Sequence, residues 1–146
     1  MSKYNISIEV IEYLAHRLAV DTMSWDEPIP PFGTRYPNAL ESCLKTPFQK
    51  FDNKFLYKGL IGKAAMLFYL LIKNHPFQNG NKRLAVTTLL VFLYINDKWL
   101  KVDKQELYNF AVWVAESPAK LKKNVVGAIE EFIAINLLSI KNNRQK

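Results

Sequence analysis

The chain has 146 residues, 49% of them hydrophobic and 23% charged, enough apolar material for one domain with a real core and too much for a disordered chain. Lys and Arg outnumber Asp and Glu, 20 against 13, for a formal charge of +7, which favours polyanionic partners such as nucleotides. Part of that excess lies in the basic tail "KNNRQK" (141–146) and in Lys120, Lys122 and Lys123, which read as solvated surface, so nucleic acid is a weak expectation.

The single cysteine, Cys43, excludes an internal disulfide; it reads as a small buried residue in a reducing compartment. The N-terminus "MSKYNISIEV" has no signal-peptide core, and every apolar stretch is interrupted before the ~20 residues of a membrane span. A cytoplasmic protein without a membrane anchor is expected. Nothing repeats at a fixed period, so residues 1–146 are expected to form one unit.

In chain order, Ser7 is a plausible N-cap for a helix through Val20, with Ile8, Ile11, Leu14, Ala15 and Leu18 on one face. The stretch "SWDEPIPPFGTRYPN" comes next, where Pro28, Pro30, Pro31, Gly33 and Pro37 exclude a regular helix. Asn38 with Glu41 reads as a capping box opening a short helix that ends before Pro47. "GLIGKAAMLFYLLIK" (59–73) and "KRLAVTTLLVFLYIN" (82–96) are apolar almost all round, as buried central helices are. "WLKV" is extended, and Asp103 with Glu106 forms a second capping box for a helix to about Ala115. Ser117-Pro118 reads as the N-cap and first turn of a last helical stretch, which Gly127 divides or merely weakens. The expectation is an all-α bundle around two central buried helices.

The joint between those two helices is "NHPFQNGNKRLA", residues 74–85. Gly80, Asn81 and Lys82 fall at the start of a helix, where amides without internal partners and the positive end of the dipole favour an anion. Lys82 and Arg83 add two cations, and the planar fork of Arg83 suits phosphate. His75, on the other side, is a natural general base, stiffened by Pro76 and anchored by Phe77 plugging inward. Each residue alone has an ordinary structural explanation; together, between two buried helices, they point to group transfer from a nucleotide to a hydroxyl.

"HPFQNGNKR" resembles the signature of the Fic/Doc family, as do the flanking "LIKN" and "LAVTTLLVFLYIN" and the order of helices, from the first helix to about Phe132. The resemblance implies a helical transferase that modifies target proteins with part of a nucleotide. Lys82 replaces the second glycine of the loop, so "GNKR" looks like the death-on-curing (Doc) branch, toxins that phosphorylate elongation factor Tu on a threonine. A lysine at that place crowds one phosphate subsite and offers a cation to another, which can turn the γ- rather than the α-phosphate towards the acceptor.

By this resemblance His75 is the base and Phe77 the anchor, while Gly80, Asn81, Lys82 and Arg83 bind ATP, with Arg83 also catalytic. The irregular stretch 24–37 occupies the place of the family's flap, with Phe32, Gly33, Thr34 and Arg35 as contacts to the target protein. Many relatives carry Asp or Glu at the position of Asn79 to ligate nucleotide-bound Mg²⁺, which prefers charged oxygens. Asn79 therefore leaves three readings open: a phosphotransferase, an adenylyltransferase, or a nucleotide- or partner-binding protein with weakened catalysis. No self-inhibitory run of Ser or Thr, three residues, Glu, then Gly or Asn is found, so a separate antitoxin protein is expected as partner.

Overall fold

The computed structural model describes residues 6–22 and 29–140. The first part of the expected flap, with Pro28, and the basic tail with Lys141, Arg144 and Lys146 lie outside the described residues.

Helix α1 runs over residues 8–22 and opens as expected, with the Ser7 hydroxyl accepting from the Val10 N–H at 3.2 Å. It is α-helical at Ile8–Val10, π-helical at Ile11–Ala15 and α-helical again at His16–Thr22. Each π turn takes in an extra residue and rotates the rest of the helix. The buried stripe is consequently Ile11, Ala15, His16 and Ala19, while Leu14 and Leu18, expected inside, are 48% and 43% exposed. The Ala15 carbonyl accepts a hydrogen bond from the Thr87 hydroxyl at 2.9 Å, which supports this turn from outside.

Helix α2, Ala39–Lys45, differs from the expected capping box. Asn38 has φ 67, in the left-handed region, and its side chain makes no cap hydrogen bond; a capping side chain needs an extended backbone at that residue. Glu41 is taken instead by Arg35, whose Nη2 donates to its carboxylate at 2.9 Å and holds its pKa below the usual range. A 3₁₀ turn, Thr46–Phe48, leads to a hairpin of β1 (Lys50–Phe51) and β2 (Lys54–Phe55), which turns through Asp52 and Asn53 at φ 55 and 64.

Helices α3 (Gly59–Lys73) and α4 (Asn81–Ile95) are the expected central pair, buried over nearly their whole length. One buried residue of α3 is charged: Lys63 donates to the Tyr57 carbonyl at 2.8 Å and lies 3.9 Å from the centre of the Phe55 ring. Burial pulls its pKa down, and the contact seats the hairpin on α3.

Strand β3, Lys98–Leu100, pairs antiparallel with β4, Leu137–Ser139. Helix α5, Lys104–Glu116, opens with the Asp103 carboxylate accepting from the Glu106 N–H at 2.8 Å. Ser117, expected to cap the next helix, closes this one: its hydroxyl donates back to the Val114 carbonyl at 2.6 Å. Lys73, at the end of α3, donates to the Ser117 carbonyl at 2.6 Å and so ties the two helix ends together. Helix α6, Lys122–Asn136, continues through Gly127 as one helix. Phe110 of α5 stacks on Phe132 of α6, ring centres 4.2 Å apart, and on Phe68 of α3. The result is the expected all-α architecture with two small two-stranded sheets added. Among the described residues no helix is long and apolar enough to cross a membrane.

Cys43 is fully buried against α3, where its thiol approaches the Leu70 carbonyl, and burial pushes its pKa up to about 11. Native protein at pH 8 should therefore react with iodoacetamide about a hundredfold more slowly than the unfolded chain, since the thiolate is scarcer by about two pKa units. Equal alkylation with and without urea, followed by mass spectrometry, would count against the burial.

Candidate functional site

The loop between α3 and α4 is short, and both of its ends are fixed by buried helices. Asn74 caps α3 with ordinary right-handed geometry, and His75 then takes φ 48. This is the position just past a helix where a left-handed residue turns the chain, and where glycine is the common choice. A histidine there stores strain of about 1 kcal/mol. Its ring is exposed, whereas Pro76 and Phe77 turn inward, Phe77 to 1% exposure.

Asn81 closes the loop from the other side. Its Oδ1 accepts from the Phe77 N–H at 2.9 Å and its Nδ2 donates to the Phe77 carbonyl at 2.8 Å. Both backbone groups of the buried Phe77 are thereby satisfied, which a turn of this tightness cannot do with its own backbone. The side chain of Asn81 is thus engaged within the loop, and what it can offer an anion is its backbone N–H. Gly80 precedes it at φ 79. A Cβ on Gly80 would lie 2.6 Å from Cγ1 of Ile29, so the chain of the flap passes directly over this glycine.

Lys82 and Arg83 occupy the first turn of α4, Lys82 half-buried and Arg83 only 3% exposed. A guanidinium beside the positive end of a 15-residue helix brings like charges together, an arrangement that a bound anion stabilises. Asn79 is half-buried in the same loop. Among the described residues no group of three or more His, Cys, Asp or Glu could hold a metal ion. Asn79 would offer a metal ion a neutral amide oxygen, a weaker ligand for Mg²⁺ than a carboxylate.

The flap is tied to this loop along its described length. The Tyr36 N–H donates to the Pro76 carbonyl at 2.9 Å. Phe32 turns inward to Phe77, ring centres 6.0 Å apart. Arg35 lies over the Phe32 ring at 4.6 Å and pairs with Glu41. Gly33 and Thr34 form the exposed part of a 3₁₀ turn, Phe32–Thr34, with open space beside Gly33. Of the four expected docking residues, two therefore face outward and two hold the flap in shape.

One residue of this neighbourhood is not marked out by the sequence. His16 of α1 is 8% exposed, its Nε2 lies 2.9 Å from the Pro30 carbonyl, and its ring contacts both Phe32 and Phe77. The one signal for it is a histidine adjoining the buried stripe of an amphipathic helix.

His75, the start of α4 and the buried Arg83 thus stand within nine residues of one another at this joint. The Fic/DOC family model matches residues 6–93, from the start of α1 into α4, and covers the flap and the loop. The chain belongs to the Fic/DOC family, whose members are transferases that act on proteins. The match stops short of α5 and α6, to which the resemblance in sequence was expected to extend. No curated protein and no solved structure matches the chain.

Replacing Asn81 by Ala should leave the buried Phe77 N–H and carbonyl unpaired. The expected loss is about 2 kcal/mol of stability in urea unfolding, the usual effect of stranding buried hydrogen-bonding groups. An unchanged midpoint would mean that the loop does not depend on this closure.

Proposed function

We propose that the protein is a toxin-like phosphotransferase that moves the γ-phosphoryl group of ATP to a Ser or Thr hydroxyl of a target protein. The observation that carries this reading is His75: a titratable, exposed side chain held in a left-handed position favouring glycine, on the loop that leads into Arg83 and the start of α4. Strain kept at one exposed residue while Pro76 and Phe77 after it are buried fits a group placed for chemistry.

In the proposed step His75 accepts the proton of the target hydroxyl, and the oxygen attacks the γ-phosphorus. The bond from that phosphorus to the bridging oxygen breaks, and ADP leaves with its electron pair. Arg83 and the first amides of α4 stabilise the charge on the phosphates. Lys82, in place of a second glycine, favours the γ- over the α-phosphorus. With the nucleotide reversed, the same base would direct attack on the α-phosphorus and pyrophosphate would leave, which is adenylyl transfer and the second reading. Elongation factor Tu is the candidate target suggested by the Doc-like "GNKR".

A separate antitoxin protein completes the proposal. The lining of the apolar groove of Leu14, Leu18, Leu90, Tyr94 and Trp99 includes Thr87, which is one turn beyond Arg83 in sequence. This groove is the proposed seat for an amphipathic helix of the antitoxin.

ATP labelled at the γ- or the α-position, incubated with a bacterial lysate, separates the readings. Label transferred from γ alone is expected, falling about 10²- to 10⁴-fold in His75→Ala, the range for losing a general base. Label from α would replace phosphotransfer by adenylylation, and no His75-dependent label would sink both.

Asn79→Asp adds the charged oxygen that Mg²⁺ prefers and should lower the Mg²⁺ concentration for half-maximal transfer about tenfold. An identical Mg²⁺ titration for both proteins would show that this position does not meet the metal.

A further inference from the structure

We propose that His16 is a positioning residue, which fixes the flap above the His75 loop at the height where a target segment is received; this rests on the transferase reading above. Three elements meet at its ring. The Pro30 carbonyl can only accept, so the 2.9 Å contact requires a hydrogen on Nε2 of His16, which donates it. The ring meets Phe32 of the flap edge-on at 5.5 Å and 84°, and lies against Phe77 of the loop at 5.6 Å and 38°.

Around this point the flap touches the loop at Ile29 on Gly80, at Phe32 on Phe77, and through the Tyr36 N–H on the Pro76 carbonyl. His16 adds the bond from a third element, α1, to the flap backbone between the first two of these contacts. Its own place depends on the π turn just before it, and the Thr87 hydroxyl supports that turn at the Ala15 carbonyl. Thr87 lies one turn beyond Arg83 on α4, and the Arg83 carbonyl is 3.2 Å from the Thr87 hydroxyl as an alternative acceptor for its one hydrogen. A chain of contacts therefore links the turn that carries Arg83, through α1 and His16, to the segment that presents Gly33 and Thr34 outward. The contacts of the ring are with Pro30, Phe32 and Phe77, so it acts through the flap.

His16→Phe keeps an aromatic ring and removes the donor, whereas His16→Gln places an N–H donor close to where Nε2 stands. Two measurements test the assignment: hydrogen exchange of the Tyr36 amide, referred to α3 amides so that any global loss of stability cancels, and transfer kinetics with labelled ATP and lysate protein titrated as acceptor. His16→Phe should speed Tyr36 exchange about tenfold and raise the apparent KM for acceptor about tenfold, with the maximal rate within about twofold of wild type; His16→Gln should restore both. Unchanged Tyr36 exchange in His16→Phe would overturn the proposal, as would faster exchange with an unchanged KM, or a loss confined to the maximal rate. Wild-type protein without any His75-dependent transfer would instead sink the transferase reading, and the exchange arm would still decide whether His16 holds the flap.

Discussion

The closure of Asn81 onto Phe77 is the constraint on which the site depends. Two 15-residue helices, both largely buried, are joined by a short loop that must bury Phe77 without stranding its backbone. One amide side chain answers this need, accepting from the Phe77 N–H and donating to its carbonyl. With Phe77 fixed, His75 has little freedom two residues before it, and Arg83 stands two residues after Asn81 on a rigid helix. His75 and Arg83 are thus set relative to one another by two hydrogen bonds and a plug, which would pre-organise the proposed site.

A buried cation alone would not make a site, and Lys63 shows why. It is as buried as Arg83, but it lies at the opposite end of α3, donates to the Tyr57 carbonyl and faces the Phe55 ring. Its surroundings explain it as the seat of a hairpin. Both cations stand near the N-terminal end of a 15-residue helix, Lys63 as the fifth residue of α3 and Arg83 as the third of α4, but Arg83 is at the joint that carries His75. Surroundings, more than burial or helix position, would separate an anion site from a structural cation.

The parts visible from the sequence were those that rest on periodicity and cap chemistry. The two apolar runs had to be central helices, Ser7 and Asp103 cap as their type and place suggest, and "HPFQNGNKR" marked the joint. The rest turned on neighbours distant in the chain. Asn38 fails as a cap because Glu41 is drawn to Arg35 and the backbone turns left-handed there. Leu14 and Leu18 fit a helical stripe, but the π turn moves the stripe by one position. Asn81 looked like a phosphate ligand, and only the position of Phe77 reveals that its side chain works within the loop. His16 was invisible because its meaning lies in a proline carbonyl fourteen residues away.

Gly80 carries the same lesson into the chemistry. From the sequence it stands for close approach of a phosphate to the backbone. In the structure its positive φ of 79 already asks for glycine, and the space that a Cβ would take is occupied by Ile29, with the Cα of Ile29 at 3.2 Å. Flap contact and backbone geometry therefore account for this glycine without any ligand. An anion at this loop has to be argued instead from the amides of the first turn of α4 and from Arg83 beside them. The flap and the proposed anion subsite would consequently share one boundary: Ile29 lies on Gly80, the residue that opens the helix. A shift of the flap at that point would change the access of a nucleotide as well as the docking of a target, so the two substrates of the proposed transfer meet the protein through a common surface rather than through separate sites.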